Sequence, residues 1–239
     1  MNTLSISEIL SATVVEIREN VRLVALYIGI AVLVEVGYSF VEREVGSSSM
    51  FGLGFGLFFG EDLLSGGLLG VAIAISYFVV IVLLSYWLCA GMVRRAVAPD
   101  FDKIAPFIGI YILSSIGIGF GFLLLIVPGI ILSIRWLIVL PLLLGANIPA
   151  MDTFGESFME TRTSAWSIFA VALIIFVVAI ALIYSSELFG LTLGGPLAIP
   201  ATLLTALVET VLGVVFLAFS VGVFRLLTGD TKGLTEVFE

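Results

Sequence analysis

The chain contains no histidine and a single cysteine, Cys89. A disulfide framework within the chain is thereby excluded, as are the cysteine–histidine sites that hold zinc, so neither a metal nor a cofactor is expected. Charge is scarce as well. Asp, Glu, Lys and Arg supply 12% of the 239 residues, and acidic residues outnumber basic ones 18 to 10, for a net charge of −8. With no basic stripe to follow a phosphate backbone, nucleic acid is not an expected partner. The first twenty residues carry Glu8, Glu16 and Glu19 instead of a basic start, so a cleavable signal peptide is not expected either.

Apolar sequence is what the chain has in quantity: 61% hydrophobic residues and a mean hydropathy of +1.27. Apolar runs longer than about 18 residues recur, each sufficient to cross a ~30 Å hydrocarbon layer as a helix. Residues 71–82 and 168–182 are apolar on nearly every face, against the alternation that a membrane β-strand requires. The predicted fold is an all-α polytopic membrane protein, one integral membrane domain over residues 1–239, with the lipid bilayer as its partner. Six transmembrane helices in three hairpins are expected near residues 21–40, 70–91, 106–127, 130–146, 166–184 and 201–227.

Two interfacial amphipathic helices complete the expectation. In residues 1–20, Ile6, Ile9, Leu10, Thr13 and Ile17 recur at helical spacing with Ser7, Glu8, Ser11 and Glu16 between them. In the longest polar link, Met151, Phe154 and Phe158 mark one face of the second. The glycine-rich run 51–60 reads as a loop dipping into the interface, Pro128-Gly129 as the turn between spans three and four, and Pro141 as a kink in span four. Arg18, Arg22, Arg94, Arg95, Lys103, Arg162, Arg225 and Lys232 fall on one side of this map, and Arg43 falls on the other. The positive-inside rule then predicts both termini in the cytoplasm.

The opening Leu4-Ser5-Ile6-Ser7-Glu8-Ile9-Leu10, and Pro128-Gly129 followed by Arg135-Trp136, Pro141, Ser157 and Thr161, resemble a broad prokaryotic group of six-span proteins. That group is related to the membrane domain of some glycerophosphoryl diester phosphodiesterases and includes small inner-membrane proteins of unassigned function. The resemblance implies six helices, a prokaryotic cytoplasmic (inner) membrane and a role in membrane or envelope maintenance. It implies no catalytic residues, because the phosphodiesterase activity of the family resides in a separate soluble domain.

Three ionisable residues fall well inside predicted spans: Glu35, Arg135 and Glu209. A mid-membrane guanidinium costs about 2.5–3.5 kcal/mol even on the lenient insertion scale, so Arg135 calls for a partner. Counting from the span ends puts all three in the same half of the bilayer, and the expectation is that Arg135 pairs with Glu209, Glu35 or both in the bundle interior. A structural clamp is favoured over a polar path or an anion site. Gly117, Gly119 and Gly121, with Gly66 and Gly70, give small-residue spacing that suits close helix packing within the monomer; a homo-oligomer or a protein partner is left open. Glu156 and Glu160 read as a solvated helix face, and Cys89 as a small buried hydrophobe. The functional expectation is a non-enzymatic membrane protein supporting the envelope or a partner complex. Its alternative is a small transporter or channel with an intramembrane Arg/Glu site, and least favoured is a lipid-acting enzyme.

Overall fold

The computed structural model describes residues 3–45, 67–97, 100–146, 148–192 and 198–229. Helix α1 (Ile6–Glu19) begins at Ser5, whose hydroxyl accepts from the Glu8 backbone while the Glu8 carboxylate accepts from the Ser5 backbone at 2.6 Å. This reciprocal cap satisfies two N-terminal donors and holds the Glu8 carboxyl below its ordinary value. One residue, Asn20, turns the chain into α2 (Val21–Val45), its side chain donating to the Glu16 carbonyl at 2.9 Å. The remaining helices are α3 (Gly67–Arg94), α4 (Ile104–Leu124), α5 (Ile126–Arg135), α6 (Val139–Gly145), α7 (Asp152–Glu160), α8 (Ala165–Thr192) and α9 (Ala198–Thr228). Six segments are long and apolar enough to cross a membrane: Val21–Ser39, Val71–Arg94, Ile104–Leu124, Ile126–Gly145, Ala165–Ser186 and Ile199–Thr228. The chain is an all-α polytopic protein, and α5 and α6 together form its fourth span.

Helix α9 is the central post, packing against α1, α2, α3 and α8. Its Val214 and Ala218 join Leu23, Tyr27, Val82, Tyr86, Cys89, Phe107 and Val139 in the main core. Cys89 is fully buried there, as its apolar setting suggested. Phe219 and Val223 join Ile9, Leu137, Ile138 and Ile168 in a second cluster that seats α1 and the start of α8. Buried apolar surface is only part of what holds such helices together in lipid, where close packing and interhelical hydrogen bonds carry much of the association.

Several expectations need correction. The reversal between spans three and four is not at Pro128-Gly129 but at Leu125, a single extended residue. Pro128 instead occupies the third position of α5, where its missing N–H is one that no helical carbonyl could have accepted. Gly129 faces α4. A Cβ on it would lie 2.4 Å from Phe122 Cγ and 2.7 Å from the Phe122 backbone nitrogen, and one on Gly121 would lie 2.9 Å from the Gly129 Cα. Gly117 likewise receives the Trp136 ring. Gly117 and Gly121 thus serve packing within the monomer.

Helix α1 buries only part of the face its apolar spacing marked, Ile9 and Thr13 being buried and Ile17 packing against the main core. Ile9, Ala12, Thr13 and Glu16 are buried, while Ile6, Leu10 and Val14 point outward. In α7 the buried residues are Thr153 and Ser157, and Met151 and Phe158 are exposed. Phe154 still packs against the main core and Trp136, so hydrogen bonding at the neighbouring helix ends shifts the apolar pattern without replacing it. The run 51–60, Gly66 and the Glu61-Asp62 pair lie outside the described residues.

The hairpin can be tested by steric load. Gly129→Ala should cost about 1–3 kcal/mol, as overpacked sites do, and lower the thermal midpoint in detergent. Gly109→Ala, where a Cβ meets open space, should be neutral or slightly stabilising.

Candidate functional site

Polar groups gather at three places. The first is the end of the bundle where α1, α3 and α9 meet. Arg225, near the end of α9, is 5% exposed, and Glu16 on α1 is 3% exposed; their Nε and Oε1 atoms are 2.6 Å apart. The same guanidinium donates through Nη2 to the carbonyls of Met92 at 2.8 Å and Val93 at 3.3 Å. Those carbonyls close α3, where the helix dipole favours a cation. The approach needs Gly222, over which a Cβ would sit 3.2 Å from the Ala12 and Thr13 backbones.

Helix α3 ends with Ala96 N–H donating to the Gly91 carbonyl and Arg95 N–H to that of Met92, the double bond of a Schellman motif. Arg95 takes the left-handed position there at φ 52°, although glycine would do so with less strain, and its side chain pairs with Glu19 at 2.9 Å. Burial pushes the Glu16 carboxyl above its ordinary value even against the opposing charge of Arg225. Lys103 plays the matching role for α6, donating to the Leu143 and Ala146 carbonyls at 2.9 and 3.2 Å.

The second place is the break between α5 and α6. Pro141 has no N–H to offer the Leu137 carbonyl four residues back. Ser220 of α9 takes that carbonyl at 2.5 Å, so the kink expected from Pro141 is present as a turn over residues 136–138 with its freed acceptor satisfied. The Arg135 carbonyl accepts from Ser157 at 2.7 Å and from Thr161 at 3.4 Å, both fully buried hydroxyls. Arg135, Ser157 and Thr161, widely separated in the sequence, therefore meet through a backbone acceptor.

The Arg135 side chain does not do what was expected. It forms no ion pair among the described residues and reaches neither Glu35 nor Glu209. Its guanidinium lies 4.9 Å from the centre of the Phe158 ring and donates to the Phe158 carbonyl at 3.4 Å. The physical reason is direction. Arg135 follows Val127 and Ile131 at four-residue intervals on α5, and both of those are exposed, so the side chain leaves the outward face of the helix instead of the bundle interior.

The third place holds the two carboxylates. Glu35 of α2 accepts from the Tyr77 hydroxyl of α3. Tyr38 stacks on Tyr77 with ring centres 4.1 Å apart, and Glu209 of α9 lies within electrostatic reach of Tyr77. Glu35 thus has a tyrosine partner on α3 in place of Arg135, and the Glu209 charge acts on that same tyrosine. The sequence reading missed Tyr38 and Tyr77 because tyrosine scores as apolar. The spacing of Tyr38 on the same helix face as Glu35 was the available signal. No cluster of metal-ligating side chains occurs among the described residues. Compared with family models, curated proteins and solved structures, the chain matches none.

Two sets of variants separate these roles. Ser220→Ala should cost about 1–3 kcal/mol by orphaning a buried carbonyl, and adding Pro141→Ala, which restores an N–H, should recover most of it in detergent unfolding. Glu16→Ala should cost about 3–5 kcal/mol by leaving a buried guanidinium without its counter-charge. Glu16→Met combined with Arg225→Met should cost less than Glu16→Ala alone. A simple sum of the two single Met losses would refute the coupling.

Proposed function

We propose that the chain is a non-enzymatic, six-span protein of a prokaryotic cytoplasmic membrane, both termini cytoplasmic, that supports membrane or envelope homeostasis, alone or with a partner. One observation carries this reading. Helix α1 is fixed to the bundle by a buried ion pair yet keeps Ile6, Leu10 and Val14 outward in a row, continuous across Asn20 with the exposed Val21 of the first span. A helix held that firmly with an apolar outer stripe suits permanent contact with the bilayer surface. The cations expected on the cytoplasmic side support the orientation: Arg94, Arg95, Lys103 and Arg225 gather at the same end as α1. The resemblance to the six-span prokaryotic family points the same way. In a host lacking this protein, detergent and osmotic sensitivity should rise and be restored by the wild type but not by Leu10→Glu with Val14→Glu. Unchanged sensitivity in that host would sink the reading.

A second reading rests on a separate observation, the Glu35–Tyr77 hydrogen bond with the Glu209 charge acting on the same tyrosine. Intramembrane carboxylates mark proton or cation paths often enough to make a small carrier the alternative. Proteoliposomes loaded with a pH-sensitive dye test it. Proton or cation flux that falls to the protein-free rate in Glu35→Gln and Glu209→Gln supports a carrier, and flux indifferent to both rejects it.

A further inference from the structure

Arg135 presents five N–H donors in a planar fork. Its side-chain contacts are one long hydrogen bond to the Phe158 carbonyl at 3.4 Å and the Phe158 ring, and its own carbonyl is already served by Ser157 and Thr161. No carboxylate among the described residues, Asp152, Glu156 and Glu160 on α7 included, forms an ion pair with it. The ring centre lies 4.9 Å from the guanidinium carbon, and the half-buried side chain issues from the exposed row that Val127 and Ile131 begin. A cation placed so must reach for a bilayer phosphate or stand in hydrocarbon at a prohibitive cost.

The chain beside it marks a membrane boundary. Arg162, exposed, follows Phe158 by four residues, and Trp166, 82% exposed, follows by eight. Indole rings at that degree of exposure on a spanning helix collect at headgroup level.

We infer that Arg135, braced by Phe158, is a binding site for the phosphate of a membrane phospholipid. The guanidinium meets two phosphate oxygens through parallel N–H bonds, the aromatic ring fixes the plane of the fork, and the acyl chains lie along the exposed Val127–Ile131 row. Anchoring an acidic lipid there would also supply the counter-charge that Glu35 and Glu209 do not. This site uses neither the Glu35 cluster nor the outward Ile6, Leu10 and Val14 row of α1, so it stands or falls independently of the proposed function.

The test uses the purified full-length protein in detergent, titrated separately with phosphatidylglycerol, phosphatidylcholine and inorganic phosphate, with retained lipid counted by native mass spectrometry. Wild type should hold phosphatidylglycerol, and Arg135→Gln should hold about tenfold less, the loss expected for one charge-assisted contact. Arg18→Gln, at an exposed charge elsewhere, should hold as much as wild type. Arg135→Lys keeps the charge but not the fork, and should retain several-fold less lipid even where Arg135→Gln fails to fold. Equal retention by wild type and Arg135→Lys overturns the site. Inorganic phosphate displacing the lipid at comparable concentration overturns the lipid as its source.

Discussion

The buried pair between Glu16 and Arg225 is the interaction on which the arrangement of the other helices depends. A guanidinium has more donors than one carboxylate can fill, and in this protein the surplus goes to the Met92 and Val93 carbonyls that end α3. One side chain thereby fixes the ends of three helices relative to one another. Buried ion pairs seldom add much net stability, because desolvation consumes most of the Coulombic gain. What this one adds is position: with the ends of α1, α3 and α9 fixed, Gly222 can meet the α1 backbone and Ile9 can enter the cluster around Phe219.

The same economy governs the other helix ends. In hydrocarbon a stranded backbone acceptor costs several kcal/mol, so each interruption of a spanning helix needs a donor from elsewhere. Ser220, Ser157, Thr161 and Lys103 are those donors, and each is aimed at a carbonyl released by a proline, a turn or a helix terminus. Hydroxyls that might suggest nucleophiles in a soluble enzyme are engaged in backbone repair.

Much of the fold was legible in the sequence. Apolar runs of sufficient length located all six spans, and Pro141 announced both a kink and a carbonyl in need of a partner. The partner itself was not legible, because nothing local ties Ser220 to Leu137; that requires the register of α9 against a broken helix. Arg225 and Glu16 read as boundary charges for the same reason, since burial is a property of the packing and not of either segment. Arg135 shows the opposite error. Its depth pointed to Glu35 and Glu209, but depth says nothing about azimuth, and in a helix as uniformly apolar as α5 only the packing shows that Val127, Ile131 and Arg135 share the outward face.

The single-residue connection at Leu125 has a consequence for how the protein enters its membrane. Phe122 through Val127 are all apolar and substantially exposed, and no charged or amide side chain lies at the tip. A turn of that composition gains nothing from passing into water, so α4 and α5 have no reason to be inserted one after the other with an aqueous loop between them. Gly121 and Gly129 touch across the connection with only seven residues intervening, so the two helices can close on each other as soon as both have left the ribosome. Biogenesis of this half of the protein is then the partitioning of a preformed helical hairpin into lipid, with Lys103 and the satisfied α6 terminus left behind at the surface as its anchor.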